Sequence, residues 1–190
     1  MKKFRICLCI LTVGLVSCSG GEKSQNIDTD SIVVEDISII EKAKWQKDYF
    51  VDEFGEPTKD AYAVIETSGD FSNSATSGSQ LNVRILVTPS EVRFNLYEYG
   101  SQMVKGEGLI KFKAKLSNDS IIEFDTYNID NGANNVSSTF GEDKEVIRML
   151  KANETIRFSA RTYDSPVSTY RFSLDADTTS LINILKQIPE

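Results

Sequence analysis

Chemistry that needs an imidazole is closed to this chain, because its 190 residues contain no histidine. That removes Ser-His and Cys-His nucleophile pairs, His-based zinc sites and the commonest general base. The inventory leaves a Ser-Lys pair or a carboxylate pair, and two carboxylates are all that glycoside hydrolysis needs. The acids are densest at Asp48, Asp52, Glu53, Glu56 and Asp60, among Trp45, Tyr49, Phe50 and Phe54. A catalytic role requires one of them to sit in an apolar pocket with its pKa raised. A solvated lead-in to a strand, anchored by buried aromatics, explains the same residues, and no catalytic residue is assigned.

Other groups invite a binding role. Asn128-Ile129-Asp130-Asn131-Gly132 has alternating oxygen-bearing side chains beside a glycine, the composition of a loop that wraps a hard cation. It lacks the spacing of an EF-hand and a bidentate Glu, and Asn and Asp beside Gly also simply make turns. No metal and no cofactor is assigned. Tyr97 and Tyr99 alternate with Phe94 and Leu96, which predicts an aromatic contact patch on the opposite face of a strand. Trp45 is the only tryptophan. Exposed, it would offer a platform for a sugar; its size favours a buried anchor instead.

The cysteines point to a compartment. Lys2, Lys3 and Arg5 precede an apolar run from Ile6 to Val16, too short for the ~20 residues that cross a bilayer as a helix. A basic start, a short apolar stretch and small residues form the layout of a secretory signal. Leu15-Val16-Ser17-Cys18 resembles the bacterial lipobox. The resemblance implies cleavage before Cys18, a lipidated Cys18 as new N-terminus, and a membrane held as partner through the acyl chains. Ser19 stands where lipoproteins kept at the inner membrane usually carry Asp, which implies the outer membrane. Cys7 and Cys9 leave with the signal, so the mature chain has no disulfide, and its fold must rest on a hydrophobic core.

Without Lys2, Lys3 and Arg5 the chain keeps 18 basic and 28 acidic residues, a formal net charge of -10. That balance disfavours nucleic acid as a partner and suits a cationic protein or solubility. Residues 18–36 are rich in Gly, Ser, Asp, Asn, Lys and Glu and lack aromatics, which predicts a flexible tether. The expected organisation is a signal peptide over 1–17, the tether over 18–36, and one β-rich domain over 37–190.

Period-two alternation dominates that domain. Val83, Ile85 and Val87 pair with Leu96, Phe94 and Val92 across a turn centred on Pro89-Ser90, leaving Leu86 as an apolar exception. Ile110, Phe112, Ala114 and Leu116 alternate with Lys111, Lys113 and Lys115; Ile122 and Phe124 alternate with Glu123 and Asp125. The expected register puts Leu116 by Ile122, Lys115 by Glu123 and Lys113 by Asp125. Ile156, Phe158 and Ala160 face inward with Tyr170, Phe172 and Leu174, and Ala61 to Thr67 reads as a further strand. Helical spacing appears over Glu142 to Ala152, stopped by Asn153, and over Asp177 to Ile188, with Asp177 or Thr178 as N-cap. The fold class is therefore mainly β, an antiparallel sheet or β-sandwich of α+β kind with two short amphipathic helices.

Across about residues 45 to 188 the order of features is similar to the invasion-associated locus B and VasI-like exported bacterial proteins. The resemblance rests on Trp45 opening the domain and on Gly69-Asp70-Phe71-Ser72-Asn73-Ser74 before a central strand. The hairpin pair, the Glu142 helix, and Thr169-Tyr170-Arg171-Phe172-Ser173-Leu174 leading into a closing helix complete it. This chain lacks the cysteines common in those proteins and differs in its lipid anchor. The resemblance implies an accessory role in the cell envelope and transfers no catalytic residue. The expected function is a membrane-anchored envelope lipoprotein whose β-domain binds a protein or glycan partner or supports an assembly. Two alternatives stay open: a carboxylate-dependent glycan hydrolase, and an acidic inhibitor of a cationic enzyme.

Overall fold

The alternation read from the sequence closes on itself. The structure, a computed structural model, describes residues 42–99, 102–103, 108–129, 136–139, 141–163 and 167–189. Cys18, the segments 1–17 and 18–36, and residues 130–132 lie outside them. The strands in chain order are β1 (Ala43–Lys44), β2 (Gln46–Val51), β3 (Pro57–Ser72), β4 (Ser79–Val87), β5 (Val92–Glu98) and β6 (Gln102–Met103). They continue with β7 (Gly108–Leu116), β8 (Ile121–Ile129), β9 (Val136–Thr139), β10 (Thr155–Thr162) and β11 (Thr169–Asp177). Helix α1 (Asp143–Ala152) precedes β10 and helix α2 (Thr178–Leu185) follows β11.

Of the two arrangements left open by the sequence, the single antiparallel sheet forms, and it curls into a barrel. Neighbours run β11-β10-β7-β8-β9-β5-β4-β3, and β3 pairs back with β11. The closing pairs are Ser72 with Thr169, Phe71 with Tyr170, Asp70 with Arg171 and Gly69 with Phe172. At this seam the backbones approach so closely that a Cβ on Gly69 would lie 1.9 Å from the Arg171 carbonyl oxygen. Glycine is the one residue that fits there. Beyond Gly69 the Thr67 hydroxyl donates to the Ser173 carbonyl at 2.7 Å, and the two strands then part. The segment from β1 to β2 bridges them, β1 lying on β11 and β2 on β3. Trp45 fills the gap, 4 % exposed, its backbone N–H donating to Ser180 Oγ at 3.0 Å.

Inside the barrel the alternating apolar positions meet. Phe112 stacks on Phe124 at 5.1 Å and Phe158 on Phe172 at 4.8 Å, with Phe94 within 6 Å of Phe112, Phe124 and Phe158. Each buried ring contributes about 1.5–3 kcal/mol relative to exposure. Val146, Ile147, Met149 and Leu150 of α1 and Leu181 of α2 join the same core. Both helices sit at the end where β4 passes into β5: Asp143 at the start of α1 accepts the Val92 N–H at 2.8 Å. Asp177 is the N-cap of α2, accepting from Thr179 and Ser180 N–H. Asn153 ends α1 and returns its side-chain amide to the Met149 carbonyl.

The β4–β5 hairpin has the expected register, Val87 with Val92, Ile85 with Phe94 and Val83 with Leu96. Strands β10 and β11 pair as expected, and the inward-facing Ile156, Phe158 and Ala160 lie opposite Leu174, Phe172 and Tyr170. The β7–β8 hairpin is displaced by two residues from expectation: Ala114 lies by Ile122, Lys113 by Glu123 and Lys111 by Asp125. A two-residue slip keeps both the apolar face and the charge pairing, so alternation alone does not choose between the alignments. The turn chooses. Asp119 takes φ +65 and closes a three-residue loop in which Leu116 N–H reaches the Ser120 carbonyl at 2.9 Å, a geometry suited to Asn and Asp.

Candidate functional site

Two regions outside the core concentrate groups able to act on a partner. The first is the tip of the β2–β3 hairpin. Asp52 builds it: one carboxylate oxygen accepts the N–H groups of Phe54 and Glu56, each at 2.9 Å. The Asp52 N–H donates to the Glu56 carbonyl, and the Gly55 N–H to that of Asp52. Gly55, at φ +80, supplies the left-handed residue that the turn requires. This frame holds Phe54 outward, 82 % exposed, with Val51 at 63 % and Tyr49 at 41 %. Glu53 and Glu56 flank the ring and are exposed.

The acids singled out from the sequence all lie on this hairpin, and Asp48, Asp52, Glu53, Glu56 and Asp60 are all exposed. Asp52 is committed to the turn. Asp48 accepts the Tyr62 hydroxyl at 3.1 Å and the Arg84 guanidinium at 3.4 Å. Burial and the Asp48 hydrogen bond together push the Tyr62 hydroxyl pKa upward. Tyr62, Val64 and Leu86 form a small apolar cluster on the outer face, with Phe50 packed against them. The arrangement fastens β2 to the barrel; it does not enclose a carboxyl pair in an apolar pocket, as a carboxylate-dependent hydrolysis requires.

The second region is the outward face of β7, β10 and β11. In a chain of formal net charge -7, these strands carry six cations: three in β7, two in β10 and one in β11. Their only acids, Asp175 and Asp177, fall at the C-terminal end of β11. Pairing brings the cations together in rows, Lys115 beside Arg157, Lys113 beside Ser159 and Lys111 beside Arg161. On the other edge of β10, Ser159 faces Arg171. An open cavity of about 460 Å³ runs along this face. Glu123 accepts Lys113 at 2.6 Å and Asp119 accepts Lys115 at 2.7 Å. Asp70 stands 3.7 Å from Arg171. Among the described residues no carboxylate lies within ion-pair distance of Arg157 or Arg161. Lys111 sits 5.6 Å over the ring of Tyr163. Hydrogen bonding to Tyr163 and the charges of Tyr163 and Asp125 raise its pKa.

Of the residues proposed from sequence as a contact surface, the structure buries Trp45 and leaves Tyr97 part-exposed and Tyr99 exposed. Trp45 is a core anchor. Tyr97 is half-buried on the outer face beside Ser68, Asn82 and Arg84. Tyr99 has left the strand at φ +51 and meets the buried ring of Phe71 edge-on at 4.9 Å. The turn after Glu98 rotates it away from Tyr97, which is why simple alternation misplaces it. Glu98 itself points toward the interior side and accepts the Tyr170 hydroxyl at 2.9 Å. Burial, reinforced by Glu98, holds the Tyr170 pKa far above the ordinary tyrosine value.

Among the described residues no three acidic or cysteine side chains gather into a metal-binding group. Likewise no helix among them is long and apolar enough to cross a membrane. No family model, curated protein or solved structure matches the chain.

Proposed function

We propose that this chain is a lipoprotein of the bacterial envelope, anchored in the outer membrane through Cys18, and that its barrel is a non-catalytic module that binds another envelope protein. The lipobox-like run Leu15 to Cys18 supports the anchoring. The binding half rests on one observation, the rigid outward presentation of Phe54 between Glu53 and Glu56. A large apolar ring left 82 % exposed on a turn held by its own aspartate is pre-organised, so docking costs little ordering entropy. Aromatic anchors of this kind dominate interface energies once they enter a pocket. The flanking carboxylates select a pocket rimmed by Lys or Arg and speed encounter with it. The same geometry serves the narrower reading, an acidic inhibitor of a cationic enzyme, because an inhibitor needs just such a stiff acidic projection.

The test places a photo-crosslinking residue at position 54 of the full chain in its own envelope. A protein adduct is expected, and Glu53→Lys with Glu56→Lys is expected to abolish it. Absence of a protein adduct, or one that persists unchanged after both reversals, contradicts the proposal.

A further inference from the structure

The cationic face of β7, β10 and β11 lies apart from the hairpin tip and implies a second activity that does not depend on a protein partner. We infer that this groove is a binding site for an oligosaccharide bearing carboxylate or sulfate groups. Net charge argues against an anionic ligand, but the groove is decided locally, since screening confines charge effects to about 10 Å at ordinary ionic strength.

The placement of the groups suits such a ligand. Neighbouring strands lie about 4.8 Å apart, and outward residues recur about every 6.8 Å along each strand. Lys111, Lys113, Arg161 and Arg171 therefore form a lattice on which successive anionic substituents of an extended chain can each find a cation. Arg161 has no carboxylate partner among the described residues, and its planar fork matches a carboxylate or sulfate in two parallel hydrogen bonds. Ser159 between Lys113 and Arg171 keeps the floor low and offers a hydroxyl to sugar hydroxyls. Tyr163 is 59 % exposed, and its N–H donates to the Leu109 carbonyl at 3.1 Å. That backbone bond holds the residue at the rim, and Lys111 packs over its ring, leaving aromatic surface against which a sugar ring can lie. A flat bilayer surface does not enter a concave groove, and a bare inorganic anion leaves the hydroxyls and the ring unused.

Titration calorimetry of the purified full chain in detergent tests this with four probes. They are a heparin-derived hexasaccharide, hexagalacturonate, neutral maltohexaose, and phosphatidylcholine vesicles containing phosphatidylglycerol. At least one acidic hexasaccharide is expected to bind, with affinity falling as salt is raised. Arg161→Glu together with Lys111→Glu is expected to weaken it at least about tenfold, or about 1.4 kcal/mol. Ser159→Tyr leaves the charge unchanged and fills the floor; it is expected to weaken binding to a similar extent. Thermal unfolding of each variant at the parent temperature establishes that the fold is intact. The inference is overturned if neither acidic hexasaccharide binds, if maltohexaose binds equally well, if the vesicles alone bind, or if Ser159→Tyr has no effect.

Discussion

The hairpin tip and the cationic groove are built by opposite means. At the tip, five local residues make the feature: Asp52 organises the turn, Gly55 permits it, and Phe54, Glu53 and Glu56 are displayed by it. Nothing from the rest of the chain is needed except a root for the hairpin on β3. The groove has no local element at all. Its cations come from three strands, and only the pairing of β7 with β10 and of β10 with β11 sets them side by side. A surface made by a turn is legible over a handful of residues; one made by a sheet exists only once the barrel has closed. The two also differ in charge, with Glu53 and Glu56 at the tip and Lys111, Lys113, Arg161 and Arg171 lining the groove.

The seam between β3 and β11 joins these regions, since β3 roots the tip and β11 walls the groove. Gly69→Ala forces a Cβ into the Arg171 carbonyl, and the clash is expected to cost about 3 kcal/mol. Denaturant unfolding should show that loss. Both surfaces should fail together, with hydrogen exchange accelerated in β3 and β11 alike.

Alkaline pH probes the same seam more gently. Tyr170 faces Phe71 across it, and its folded pKa is raised above the ordinary value. Its contribution is complete below the unfolded value, about 10, and is lost as pH rises from there toward the folded value. Over that window stability should fall by about 1.4 kcal/mol per pH unit from this residue. Tyr170→Phe should flatten that part of the profile in pH-dependent denaturant melts.

Asp52→Ala separates the two regions. Losing the acceptor for two turn N–H groups should cost about 1 kcal/mol and speed amide exchange at Phe54 and Glu56. Acidic-hexasaccharide binding should stay at the parent level; a matching loss there contradicts the independence of the two surfaces.

The smallest effect comes from Glu123. The hydrogen bond and charge of Lys113 hold its carboxyl below the usual range. Its contribution is therefore present above the ordinary glutamate pKa and lost as pH falls through the folded value. Both groups are exposed and screened, so the effect belongs in an NMR titration rather than in a melting curve. Glu123→Gln frees Lys113 and should tighten acidic-hexasaccharide binding by about twofold, a fraction of a kcal/mol.

How far these features are legible in sequence follows from the same contrast. Val83 to Leu96 declares its hairpin, because alternation and the Pro89-Ser90 turn agree. Lys111 to Asp125 declares a hairpin but not its register, because lysines and acids at period two tolerate a shift of two; the left-handed Asp119 decides. Leu86 breaks its alternation because the outer face of β4 has a small core of its own with Tyr62 and Val64. The closure of the barrel rests on pairing between residues near 70 and near 170, which no local pattern records. The groove was missed for that reason. The sequence sets Lys113 and Lys115 against the acids of β8, while the arginines of β10 on the other side of β7 become neighbours only through a non-local pairing. The signal that could have found them is the matching alternation of Arg157 and Arg161. The acids from Asp48 to Asp60 were visible as a cluster, and the exposed tip they surround emerged only with the turn.

The envelope role proposed for both surfaces depends on the proposed lipid anchor at Cys18. The most direct measurement is the intact mass of the chain recovered from bacterial membranes, with and without globomycin. A species beginning at Cys18 and carrying acyl chains is expected, replaced by the uncleaved precursor under the inhibitor and absent for Cys18→Ser. An unacylated chain cut elsewhere, or a mass indifferent to globomycin and to Cys18→Ser, contradicts it.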